Sequence, residues 1–227
     1  MSASWRVAFD GGETSALYEP AEGEQRAVFV AAHGAGGNMM DRGMASAAAM
    51  LRRHGFGVVR FNFLYKERKS GRPDPMPTLM RTFAAVVERT RGELGADLGR
   101  LVIGGRSMGG RAGSMLAAEG FAADGLLLLA YPLHPAGQPE KLRDAHLPRI
   151  AMPVLCINGT RDALCTPDIM RRVLTTVRAP WETHWLEGAD HSFHVLKSSG
   201  TNDAAVMDSI AAQSAEWLAH GPRRSVS

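Results

Sequence analysis

The feature that most limits how this chain can fold is the alternation of short apolar runs, some of them apolar throughout, with segments of helical periodicity. The runs cover residues 27–32 (A-V-F-V-A-A), 57–61, 101–104, 125–130 (G-L-L-L-L-A), 154–158 and 181–186. A strand apolar on both sides must be covered on both sides, which is the condition of a mostly parallel sheet between helices. Helical signals fall in the gaps. Asp41 is placed to cap a helix that ends at His54-Gly55. Pro77 opens another, whose Leu79, Phe83, Val86, Val87 and Leu94 share one face. Further helices are expected over 107–119, 167–177 and 202–220, the last with Val206, Ile210, Trp217 and Leu218 turned inward. Ahead of all this, residues 4–9 and 14–18 flank Asp10-Gly11-Gly12 and read as a hairpin. The expectation is eight strands and about six helices in one α/β domain over residues 1–220, with a disordered tail at 221–227.

Composition removes several classes of function. The formal net charge is +3 over 227 residues. Basic side chains gather only at Lys66, Arg68, Lys69 and Arg72 and at Arg223-Arg224. Nucleic-acid binding needs a denser cationic stripe, so no nucleic-acid partner is expected. The longest charge-free apolar stretch, 125–135, is too short to span a bilayer, and no membrane association is expected. The first ten residues lack a signal-peptide pattern, and two cysteines, Cys156 and Cys165, give no disulfide framework. The expected location is the cytoplasm.

The chemistry-bearing residues stand at the ends of the apolar runs. Gly105-Arg106-Ser107-Met108-Gly109 follows one run directly and opens a helix. In a G-x-S-x-G elbow the serine sits on a strained strand-to-helix turn that exposes its Oγ, and the glycines admit close packing. A glycine-rich turn with a helix-capping serine is the plainer alternative. His33-Gly34-Ala35-Gly36-Gly37 follows the first apolar run, where a second backbone amide for an oxyanion is required. Ala35 and Met108 are the expected pair of donors. A dinucleotide loop fits less well, because Met39 stands where a third glycine belongs. His33 reads as a structural hydrogen-bonding residue.

Asp162 follows the run at 154–158 and is the candidate acid; pairing with Arg161 is its alternative. His191, after the last run, is the candidate base, which completes the chain order Ser, Asp, His. His194 is its nearest rival, and the two together lack the further ligands a metal needs. Asp190 reads as a loop-fixing residue.

Taken together, the H-G-A-G-G loop, G-G-R-S-M-G-G-R at 104–111, G-T-R-D at 159–162 and D-H-S-F at 190–193 resemble the α/β-hydrolase superfamily. More narrowly they are similar to its small dienelactone-hydrolase-like branch, which includes bacterial proteins similar to the testis-expressed α/β-hydrolases. The resemblance implies an α/β-hydrolase fold with no large cap domain, no cofactor, and ester-type hydrolysis of a small-molecule acyl substrate. Two departures limit it. Dienelactone hydrolases carry cysteine where this chain has Ser107, and some relatives are noncatalytic complex subunits, so a binding or scaffolding protein is the alternative function. Without a cap, selectivity falls to the loops 62–77 and 131–149. Phe63, Tyr65 and Met76 are candidates to line an acyl pocket, His134 is a candidate substrate contact, and the cations from Lys66 to Arg72 are candidates to favour acidic acyl groups.

Overall fold

The computed structural model describes residues 1–220. The expected disordered tail, 221–227, lies outside them. Eight strands form one sheet: β1 (Ala3–Phe9), β2 (Gly12–Glu19), β3 (Ala27–Ala32), β4 (Phe56–Phe61), β5 (Arg100–Arg106), β6 (Gly125–Leu129), β7 (Val154–Gly159) and β8 (Trp181–Leu186). Their order is β1-β2-β4-β3-β5-β6-β7-β8. The hairpin β1–β2 turns on Asp10 and Gly11, and β2 runs antiparallel to β4. The other pairings are parallel.

Six α-helices accompany the strands in the described residues: α1 (Arg42–Arg53), α2 (Leu64–Glu67), α3 (Met76–Leu94), α4 (Met108–Ala118), α5 (Pro167–Leu174) and α6 (Asp203–His220). The two-residue period of each central strand splits the core in two. Val28, Val30, Ile103, Leu126, Leu128 and Cys156 pack beneath α3 and α4, against Phe83, Val87, Ala112 and Leu116. Phe29, Ala31, Val102, Leu127, Leu129 and Ile157 pack on the other face, against Met44 and Leu51 of α1 and Val206, Ile210 and Trp217 of α6. None of the described helices is long and apolar enough to cross a membrane.

Two local expectations need correction. Asp41 precedes α1 without capping it by its side chain. Its carboxylate instead accepts from the backbone and side-chain nitrogens of Asn38, both at 2.7 Å, and so closes the loop after β3. Residues 64–67, expected as part of an open basic loop, form the single turn α2 with Leu64 and Tyr65 buried.

The strand order reverses at one place. From β3 the chain crosses to β4 on one side, then returns to β5 on the other. The loops leaving β3 and β5 therefore diverge at their carboxyl ends and open a crevice, the usual ligand position in such sheets. His33 to Gly37 and Ser107 leave the sheet at this point.

Candidate active site

Ser107 joins β5 to α4 with φ 52° and ψ −117°. A non-glycine residue held there costs on the order of 1–3 kcal/mol and persists only when its surroundings over-determine it. They do. Its N–H donates to the Leu129 carbonyl (2.9 Å), and its own carbonyl accepts from Arg111 N–H in the first turn of α4 (3.0 Å). A Cβ on Gly105 or Gly109 would fall onto the Ala32 carbonyl at the end of β3. Both glycines of the motif thus serve one close approach, of the elbow to the neighbouring strand.

His191 stands over the elbow. Its Nε2 lies 2.9 Å from Ser107 Oγ and its Nδ1 2.8 Å from Asp162 Oδ2. The Asp162 carboxylate is 1% exposed, and its other oxygen accepts from Leu164 N–H (2.8 Å). The three residues lie far apart in sequence and meet at the carboxyl edge of the sheet.

The loops carrying the acid and the histidine are bound to each other. Thr160 N–H donates to Leu186 O (3.0 Å) and Arg161 N–H to Ala189 O (2.9 Å). Thr160 Oγ1 accepts from Gly188 N–H (2.9 Å), and Arg161 Nη1 donates to Gly188 O (3.0 Å). Arg161 therefore serves the seam between loops and does not pair with Asp162. Asp190 Oδ1 accepts from the amides of Ser192 (2.7 Å) and His194 (3.0 Å), the loop-fixing part expected of it. His194 is exposed and pairs with Asp203 (3.0 Å). Arg106 has a part that its place in the motif does not signal. Its guanidinium donates to the His191 carbonyl (3.0 Å) and ties the elbow to the histidine loop. As a variable position of G-x-S-x-G it carries no signal in the motif. Burial pulls its pKa down, with the Asp162 and Asp190 carboxylates opposing.

Ala35 and Met108 flank the serine from the two sides of the crevice. Met108 is the first residue of α4, where backbone amides have no intrahelical acceptor. Ala35 is exposed on the loop after β3. Beside it, a Cβ on Gly34 would stand 3.6 Å from Ser107 Cβ, so this loop abuts the elbow. His33 holds the loop from beneath. Its Nε2 accepts from Phe63 N–H (3.2 Å), which leaves the proton on Nδ1, donated to Gly34 O (2.8 Å). Burial lowers the pKa of His33 and favours this neutral form.

The proposed substrate contacts are placed otherwise than expected. Phe63 and Tyr65 are both 0% exposed. Their rings pack edge-on to His33, and the Tyr65 hydroxyl donates to the Ala35 carbonyl (2.6 Å). Burial, with Asp74 and Asp41 nearby, pushes the Tyr65 pKa up to about 12. These aromatics brace the loop from behind and line no open pocket. His134 is likewise buried, 3% exposed, with Nδ1 donating to Pro135 O (2.9 Å) and Nε2 without a hydrogen-bond partner among the described residues. The cationic segment is partly engaged as well: Arg68 pairs with Asp74, and Lys66 lies over the Tyr65 ring at 5.1 Å.

Solved structures share this architecture. A lidless α/β serine hydrolase from Xanthomonas campestris matches with a TM-score of 0.74 at 22% identity, over 97% of both chains. A dienelactone hydrolase from Anabaena variabilis matches at 0.75 and 17%, over 98% of this chain and 99% of the other. The esterase domain of a Rhodothermus marinus protein matches at 0.67 and 15%, over 96% and 99%. At such identities the likeness is one of fold. The family model described as an alpha/beta hydrolase domain matches residues 25–219, most of the chain, and the protein belongs to that family.

Proposed function

We propose that this protein is a serine hydrolase that cleaves carboxylic esters or thioesters of small acyl substrates through an acyl-enzyme on Ser107. The observation that carries the reading is the unbroken relay from Ser107 Oγ through both nitrogens of His191 to Asp162, at 2.9 and 2.8 Å. In this reading His191 Nε2 takes the hydroxyl proton as Oγ attacks the acyl carbonyl. Asp162 remains ionised, holds the Nδ1–H tautomer and stabilises the imidazolium. The amides of Ala35 and Met108 receive the negative charge that develops on the carbonyl oxygen. Collapse expels the alcohol or thiol with the proton from His191. Water then repeats the sequence, releasing the acid and restoring Ser107. The buried acid and the strained serine support this over a scaffolding protein, which has no use for either.

A fluorophosphonate probe tests the proposal. Wild type is expected to be labelled and Ser107→Ala not, with ester turnover reduced on the order of 10⁶-fold, as where such nucleophiles have been removed elsewhere. Equal labelling of both proteins overturns it. We extend the same proposal to a cytoplasmic location, checked by cell fractionation.

A further inference from the structure

Beside the elbow, two arginines stand without an ion-pair partner among the described residues. Arg111 lies one helical turn beyond Ser107 on α4, half-buried, and its Nε is fully buried without a hydrogen-bond partner. Arg143 is also half-buried and lies on the segment between β6 and β7. Among the described residues, neither forms an ion pair, whereas Arg68 has found Asp74 and Arg60 has found Glu19. The two guanidiniums are close enough that Arg143 lowers the pKa of Arg111, alongside the larger effect of burial and with Tyr131 opposing.

The segments that carry them are held relative to the serine by hydrogen bonds on both sides. Arg143 N–H donates to Leu133 O (2.7 Å), Leu133 N–H to Leu164 O (2.9 Å), and Leu164 N–H to the Asp162 carboxylate (2.8 Å). On the α4 side, Ser114 Oγ accepts or donates at 2.9 Å to the Tyr131 hydroxyl and 2.8 Å to His146 Nε2. This buried knot clamps the segment that bears Arg143 onto the helix that bears Arg111.

Placing a guanidinium where it is partly desolvated, unbonded and next to a like charge is unfavourable for folding alone. Among the described residues, no ion pair offsets it for either arginine, and Arg111 Nε has no hydrogen-bond partner. A guanidinium fork matches the paired oxygens of a carboxylate or a phosphate-type group. We propose that Arg111 and Arg143 form an anion subsite beside Ser107, which selects acyl substrates that carry a second, acidic group. The proposal rests on the hydrolase reading for its link to turnover. It relocates acid recognition from the loop at Lys66 to Arg72 to the opposite side of the crevice.

The test compares three activated esters of similar size in the full chain: a neutral butanoate, a hemisuccinate and a phosphonate-bearing acyl ester. Wild type is expected to prefer an acidic ester, and the stronger of the two identifies the oxyanion. In Arg111→Met the ratio of kcat/KM for that ester over the neutral one falls about ten- to a hundredfold, the range of a lost charged hydrogen bond. Arg143→Met shifts it in the same direction. A purely structural part for Arg111 would lower both rates together and leave the ratio unchanged, which overturns the proposal, as does a wild type that prefers the neutral ester. A second readout does not depend on turnover. Succinate or methylphosphonate raises the Tm of wild type and of Ser107→Ala, and raises that of Arg111→Met less. If the neutral ester survives the loss of Ser107, the hydrolase reading fails while this thermal measurement still judges the subsite.

Discussion

At the scale of single residues, the hydrogen bonds around Asp162 make its substitution informative. One carboxylate oxygen is committed to Leu164 N–H and the other to His191 Nδ1. In Asp162→Asn the amide oxygen keeps the Leu164 bond, so the amide nitrogen faces His191 and donates to it. The imidazole proton is then driven to Nε2, where it confronts the serine it should deprotonate. A loss of about 10⁴ in kcat is expected, with stability altered little; steady-state kinetics beside a thermal melt separates the two. Tyr65→Phe removes the bond to Ala35 O, and a fall in kcat of about tenfold with a stability cost of about 1 kcal/mol is expected, read by the same pair of measurements. The meeting of Ser107, Asp162 and His191 was legible because each stands just past an apolar run, where a parallel sheet delivers its loop ends to one edge. Phe63, Tyr65 and His134 were misplaced for the converse reason. Their neighbours in sequence are charged or loop-forming, and burial by residues thirty positions away leaves no mark on local pattern. Arg106 was illegible because its partner is a backbone carbonyl at the other end of the chain.

At the scale of elements, the glycines divide into those that fix the site and those that merely permit a loop. Gly105 has φ 140° and faces the Ala32 carbonyl, so Gly105→Ala meets both strain and overlap. A loss of about 3–5 kcal/mol is expected in urea unfolding, with activity absent from what remains folded. Gly36 has no heavy atom within 4 Å of a built Cβ, and Gly36→Ala is expected to change stability by no more than about 0.5 kcal/mol in the same assay. The central strands were legible to within about two residues, since a run apolar on both faces has few other uses. Helix ends were less so. The helix expected over 167–177 stops at Leu174, and α2 was hidden by its own lysine and glutamate.

For the whole molecule, acid stability follows from histidines enclosed in neutral form. Burial, with Arg111 and Arg149 adding to it, lowers the pKa of His146 from 6.5 to about 4, and burial lowers those of His33 and His184. Between the two values the unfolded chain binds protons that the folded chain refuses. Stability is therefore complete above about pH 6.5 and declines as pH falls toward 4. His194, raised by Asp203, works in the opposite sense but at the surface, where solvent weakens it. A Tm series over this range is expected to slope downward on acidification, and His146→Gln to flatten the slope. The sheet order was legible only as a class: apolar runs announce parallel strands, but the crossing of β4 to the far side of β3 is decided by how helices cover the two faces.

The seam between the segments after β7 and β8 has one more consequence. Acid and imidazole are joined directly across that seam, while among the described residues the histidine loop reaches the elbow by hydrogen bonds from Arg106 and by the reactive contact itself. Thermal breathing should accordingly widen the gap at the hydroxyl first, with the proton-holding pair intact, so that an idle molecule is uncocked and not dismantled.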